Sequence, residues 1–234
     1  MTKNKLQRFA EMKKFPNVIE PSFEEVFGRD YRYKGRWHQE VFDNDNPIVL
    51  ELGCGKGEYT VNLAKAYPRC NFIGIDIKGA RMWKGARHAL SEELDNAVFL
   101  RTRIDFIESF FARDEVSEIW VTFPDPQPKK ARKRLVSTMF LTRYQHFLQH
   151  RSPMHLKTDN TNIYEYAGHI ARTNQLEVLW DEDDVHATTT SDLTKVRNIQ
   201  TFYEQQFIEA NRKIKYLAFR LDQNKHLTEP PDGA

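Results

Sequence analysis

The residues best suited to chemistry stand where apolar runs end. Glu51-Leu-Gly-Cys-Gly-Lys-Gly57 closes one such run, Ile48–Leu52, and opens a helical pattern. Glycines at 53, 55 and 57 allow a tight turn and let backbone come close to a ligand that side chains would obstruct. A dinucleotide loop would carry Gly-x-Gly-x-x-Gly, its last glycine allowing close helix–strand packing. Here that place is Glu58, whose carboxylate would repel a pyrophosphate at the helix N-terminus. Nicotinamide and flavin dinucleotides are therefore disfavoured. A ligand with a positive centre and no phosphate suits the loop better, and S-adenosylmethionine has those properties. Acids at successive strand ends fit its parts: Asp76 for the ribose hydroxyls, Asp105 for the adenosyl end, and Glu51 for the methionyl ammonium, directly or through water.

A fourth acid lies in Thr122-Phe-Pro-Asp-Pro-Gln-Pro-Lys-Lys130. The prolines on either side of Asp125 restrict the backbone, as a positioning carboxylate requires. The same loop leads into Lys129-Lys-Ala-Arg-Lys-Arg134, the densest basic run in the chain. A carboxylate beside a cationic ridge suits a nucleobase read at its edge with phosphates held nearby. A proline-rich turn and a solvated helix start would explain the parts separately, though not their coincidence. His146 and His150 share a helix face without a third ligand, so no metal is expected. Cys54 reads as a small loop residue, not a nucleophile.

The elements that must hold these groups alternate in type. Strands are expected at Ile48–Leu52, Asn71–Asp76, Ala97–Leu100, Glu118–Phe123, Met154–Lys157, Leu176–Leu179 and Ile214–Leu221. Helices are expected at Tyr59–Ala66, Gly79–Leu94, Phe106–Phe111, Leu135–Gln149 and Ile163–Thr173. This alternation predicts an α/β fold with a mostly parallel, doubly wound sheet and an antiparallel edge strand. Ligands of such sheets lie at the carboxyl ends of strands. Residues 46–225 form the expected domain. Residues 1–45 read as a basic and aromatic extension with a mobile tip, and 226–234 as a short tail.

Net charge is only +2, but it is unevenly spread: Lys3, Lys5, Arg8, Lys13 and Lys14 face Glu11 alone in the first fourteen residues. Such asymmetry permits a nucleic-acid face on a nearly neutral protein. No apolar stretch approaches a membrane span, and the start lacks the apolar core of a signal peptide. Two cysteines give no disulfide framework, which points to a reducing cytoplasm.

The sequence resembles the bacterial tRNA (guanine-N7-)-methyltransferases. The residues that carry the likeness are Glu51–Gly57, Gly74-Ile-Asp76, Phe123-Pro-Asp-Pro126 with Lys129, His155-Leu-Lys-Thr-Asp159, and Ile199-Gln-Thr-Phe-Tyr-Glu204 leading into Phe207. They span residues 45–220 in the family's order. The resemblance implies a Rossmann-like class I methyltransferase fold and methyl transfer from S-adenosylmethionine to N7 of a guanine in the variable loop of tRNA. It implies cofactor contacts from Glu51, Gly53, Gly55, Asp76, Asp105 and Asp125, with Asp125 catalytic. It further implies tRNA contacts from Lys129, Asp159, Thr201, Phe202, Tyr203 and Glu204. Thr201 and Glu204 also read as a helix-capping pair. Two departures stand out: Gln127-Pro128 replaces a common Trp-His pair, and Asn211 replaces a usual glycine while tolerating a left-handed turn. Whether the chain is a monomer or a homodimer is left open. A methyltransferase for a small molecule or protein would need no basic ridge, and a non-catalytic RNA binder would not need four intact acids.

Overall fold

The computed structural model describes residues 3–230. The chain divides into two compact units, Met1–Val116 and Ser117–Ala234. Residues 1–2 of the expected basic tip and 231–234 of the expected tail lie outside the described residues.

In the first unit four parallel strands lie in the order β1-β4-β3-β2. They are β1 (Val18–Ile19), β2 (Ile48–Leu52), β3 (Asn71–Asp76) and β4 (Ala97–Arg101). All five residues of β2 are buried, as a continuous apolar run flanked by turns predicts. The register sets Glu51 opposite Gly74 and Asp76 opposite Arg101, so the acids gather at one end of the strands. Between β2 and β3 runs α3 (Glu58–Ala66), and between β3 and β4 runs α4 (Gly79–Ser91).

The extension is more ordered than its sequence suggests. Residues expected to be irregular form α1 (Lys3–Met12), which packs on α4. Met12 is fully buried, Arg8 lies over the Trp83 ring at 5.0 Å, and Trp83 Nε1 donates to Glu11 at 2.8 Å. A single apolar anchor with long-range polar contacts leaves little local period to read. Of the extension's aromatics, Trp37 is fully buried and stacks on Phe111 at 5.3 Å. Phe23 and Phe27, in and just after α2 (Phe23–Val26), stack on each other at 4.7 Å and meet the Phe106 ring edge-on at 5.8 and 6.3 Å, while staying exposed.

The second unit orders its strands β5-β6-β8-β7. Here β5 (Glu118–Thr122) and β6 (Ser152–Thr158) are parallel, while β8 (Lys215–Leu221) runs antiparallel to β6 and to β7 (Val178–Glu182). The helices are α5 (Thr138–Gln145), α6 (Thr161–Thr173), α7 (Thr194–Asn198) and α8 (Phe202–Glu209). The helix expected over Leu135–Gln149 is cut to eight residues. Extended Ser137 opens it, with its hydroxyl turned back to the Arg132 carbonyl at 2.9 Å. Asn211 adopts φ 56°, the left-handed turn its type allows. Among the described residues no helix is long and apolar enough to cross a membrane.

Candidate active site

In the first unit the glycine loop is fastened to the end of β3 by its own amides. Gly53 and Cys54 N–H both donate to the Ile75 carbonyl, at 2.8 and 3.1 Å. Gly55 N–H donates to Asp76 Oδ2 at 2.9 Å, and Lys78 N–H to Oδ1 at 2.7 Å. The Asp76 carboxylate is thus fixed by two backbone donors and keeps lone pairs for a ligand. Gly53, Gly55 and Gly57 have φ of 76°, 54° and 70°, the left-handed region that favours glycine. A Cβ on Gly55 would meet only the Gly53 carbonyl oxygen, at 3.9 Å. The loop therefore has open space on the side where a ligand would approach, which fits an adenosyl group.

The back of the loop is tight. A Cβ on Gly85 would come within 2.6 Å of the Lys56 carbonyl oxygen and 2.7 Å of Gly57 Cα. Gly85 lets α4 press directly on the loop, a role that sequence reasoning missed. Its only local signal is a glycine inside a helical pattern, where it costs about 1 kcal/mol against alanine.

Glu51 is buried, and its Oε2 accepts from the Thr60 backbone N–H at 2.8 Å and from the Thr60 hydroxyl. It therefore ties β2 to the first turn of α3 and satisfies a helix-end donor. Asp105 lies in the 3₁₀ turn Ile104–Ser109 and pairs with Arg103 at 3.2 Å, both side chains well exposed. Cys54 is buried, and its thiol is pushed well up by burial and by the charges of Glu51 and Asp76. A neutral thiol is no nucleophile.

The second unit carries the remaining candidates. Asp125 is exposed and accepts from the Gln127 N–H at 3.2 Å. Phe123 and Gln127, on either side of it, have φ of 44° and 43°. Positive φ at two non-glycine residues stores strain of the order of 1–3 kcal/mol each, which the surrounding loop must offset. The Gln127 departure from the family thus also sits at a strained position. Of the basic run, Lys129, Lys130, Arg132 and Lys133 are exposed, with Lys129 in no ion pair among the described residues. Arg134 turns inward, over the Tyr166 ring at 4.6 Å and onto the Pro126 carbonyl at 3.1 Å.

Asp159 is ion-paired with Arg212, whose guanidinium lies 4.6 Å from the Phe207 ring centroid. Thr201 caps α8, accepting from Glu204 N–H at 3.1 Å. The other half of the expected capping box is absent. Glu204 is fully buried, with Oε1 2.7 Å from Lys157 Nζ and 2.9 Å from His186 Nε2. Expected to touch tRNA, it is turned away from solvent, while Phe202 and Tyr203 are 47 % and 44 % exposed. Arg212, Lys157 and His186 escaped sequence reasoning because their partners are distant in the chain.

Comparison with known proteins shows the family. The model of a family described as "Putative methyltransferase" matches residues 45–217. A tRNA (guanine-N(7)-)-methyltransferase of Bacteroides thetaiotaomicron is 49% identical over 230 residues, covering 98% of this chain and 90% of that one. Another, of Christiangramia forsetii, is 50% identical over 94% of this chain and 99% of its own length. The chain belongs to the tRNA (guanine-N(7)-)-methyltransferase family. A more distant relative so named, from Clostridium acetobutylicum, is 34% identical over 81% of this member of the family. Among solved structures, the 16S rRNA methyltransferase KamB superposes with a TM-score of 0.59 at 13% identity, covering 79% of this family member and 92% of that chain. An antibiotic-related methyltransferase scores 0.59 at 14% identity, over 88% and 97%. At such identities they establish the fold alone: this member of the family has the Rossmann-like class I methyltransferase fold, as expected.

Proposed function

We propose that this chain transfers the methyl group of S-adenosylmethionine to N7 of a guanine in the variable loop of tRNA, and that it works in the cytoplasm. One observation carries the cofactor reading: Asp76, gripped by two backbone amides and paired with no cation among the described residues, stands beside a glycine loop with open space in front. The substrate reading follows from near-full-length likeness to enzymes of that name.

When bound, S-adenosylmethionine supplies an electrophilic methyl on a sulfonium. Asp76 accepts from the ribose hydroxyls, and Asp105 takes the adenosyl end. Gly53 and Gly55 leave room for the ligand. Glu51, buried and bonded to Thr60 through Oε2, holds the loop to α3 and would accept from the methionyl ammonium, directly or through water.

N7 of guanine has an in-plane lone pair and no proton, so its attack needs no general base. The chain must supply alignment and charge. Asp125 is the acid for this: exposed, held by one backbone donor, and restricted by prolines. Its carboxylate accepts from the guanine N1–H and exocyclic amine, the edge opposite N7, and balances the positive charge the ring gains. Asp159 could take that grip only by giving up Arg212, which favours Asp125. Lys129 and its neighbours hold phosphates, and Phe202 and Tyr203 offer ring faces to unstacked bases.

The test is direct. Unmodified tRNA incubated with labelled cofactor should yield 7-methylguanosine by nucleoside mass spectrometry, labile in alkali. Methyl on N1, N2 or O6 would refute the proposal. The single-turnover rate should stay nearly flat from neutral to mildly alkaline pH, whereas attack by N1 would quicken until its proton is lost.

A further inference from the structure

We infer that Lys157 is a positioning residue for tRNA methylation, a buried ammonium that sets the Thr201–Glu204 segment against β6, the strand paired with the one that leads into the Asp125 loop. This deepens the proposed function and rests on it. Lys157 lies in β6, and its side chain is completely buried. Its three N–H groups have three oxygens in reach: the Val196 carbonyl at 2.6 Å, the Ile199 carbonyl at 3.0 Å, and Glu204 Oε1 at 2.7 Å. Val196 lies in α7, Ile199 follows its end, and Glu204 is in the first turn of α8. One ammonium thus fixes the chain on both sides of Thr201.

The same residue also acts through its backbone. The Lys157 carbonyl accepts from the Phe123 N–H at 2.8 Å, just where the chain takes the left-handed turn that precedes Pro124-Asp125. The Phe123 ring lies 5.8 Å from Phe207 in α8. Lys157 therefore links two segments that the chemistry needs at a fixed separation: the Asp125 loop through its carbonyl, and the exposed Phe202 and Tyr203 through its ammonium.

A residue serving only stability would more cheaply be apolar. Burial pushes the Lys157 pKa down and the Glu204 carboxylate offsets this only in part, so the pair carries a desolvation cost that packed side chains of similar volume would avoid. What the ammonium adds is direction: three oxygens bonded to one nitrogen cannot slide past one another. Misplacement of about 1 Å at a reacting group can cost about a hundredfold in rate, so such a staple has kinetic consequences.

Lys157→Met alone would strand a buried carboxylate and could unfold the protein, so the decisive variant is Lys157→Met with Glu204→Gln. Three measurements are needed on the full chain: cofactor affinity by calorimetry, amide hydrogen exchange, and kcat/KM for tRNA. The double variant should bind S-adenosylmethionine as the wild type does. Its exchange should quicken at residues 194–204 while β6 and β8 stay protected, and kcat/KM for tRNA should fall about a hundredfold. Adding Glu204→Gln to Lys157→Met should restore stability without restoring tRNA turnover. Unchanged exchange in that segment, a loosened segment with normal methylation, or loss of cofactor binding together with protection throughout would each overturn the inference. Failure of the wild type to make 7-methylguanosine would instead refute the proposed function, and the exchange result would still report on the staple.

Discussion

Replacing Asp76 with alanine tests the proposed cofactor site most sharply, because the effect expected there has a definite size and kind. The carboxylate holds two backbone donors, Gly55 N–H and Lys78 N–H, leaving lone pairs for a ligand, which the proposed function takes to be the ribose diol. Hydrogen bonds to a charged group contribute about 1.5–3 kcal/mol net, so removing those to the ribose should weaken binding by about 10- to 150-fold. Exposed Lys78 and half-buried Gly55 can turn their freed amides to water, so the fold should survive. Calorimetry on the isolated protein, without RNA, gives the number. Titrating S-adenosylhomocysteine beside S-adenosylmethionine gives the mechanism, because the two share the ribose but only the latter carries the sulfonium charge. If Asp76 grips the ribose, both ligands should lose affinity equally. A loss confined to the charged ligand would show Asp76 acting on the sulfonium, and unchanged affinity for both would remove it from the site.

Three further outcomes follow from the same structure. Asp125→Asn keeps the shape and removes the charge, so methyl transfer should slow by two to three decades, about 2.7–4 kcal/mol, with cofactor affinity barely changed; a near-normal rate would contradict an electrostatic role. Replacing exposed Lys130, Arg132 and Lys133 with alanine should lower the log–log salt slope of tRNA binding by about 1 for each phosphate no longer neutralised, read by filter binding across a salt series; an unaltered slope would make the run a solvated loop. Burial, with the charges of Glu51 and Asp76, raises the Cys54 thiol, so the folded state keeps its proton after the unfolded thiol ionises near ~8.5. Stability from this source is therefore complete below that pH and declines above it, and Cys54→Ala should flatten the alkaline limb of a denaturation series.

Strands were legible because each is a short apolar run between turn residues: β3 was read to the residue at Asn71–Asp76, and β2 at Ile48–Leu52. The acids at their ends were legible for the same reason, since a strand that stops at a glycine or proline marks its own carboxyl end. What sequence hid is long-range. The helix α1 depends on Trp83, 72 residues beyond its Glu11 partner, and fully buries Met12 alone among its described side chains. The pairing of Asp159 with Arg212, and of Glu204 with Lys157, joins residues about fifty apart, with no periodicity to reveal it. Leu135–Gln149 reads as one helix because its apolar spacing continues past Gln145, and Phe147 and Leu148 are buried in the turn that follows the helix.

The kind of donor that holds each acid separates candidates that the sequence treated alike. An acid held by backbone amides keeps its full negative charge and points its spare lone pairs outward, so a ligand adds bonds without breaking any. An acid held by a cation must give up an ion pair first, and if it is buried the abandoned charge has nowhere to go. Asp76, bonded to two main-chain N–H groups, and Asp125, bonded to one, are of the first kind. Asp105 shares an exposed and weakly binding arginine, which a ligand can displace at little cost. Asp159 has a largely buried carboxylate on Arg212, and Glu204 is closed in by Lys157 and His186. Family motifs record only that an acid is present at these positions. The hydrogen-bond partner says whether that acid faces the substrate or holds the chain that does.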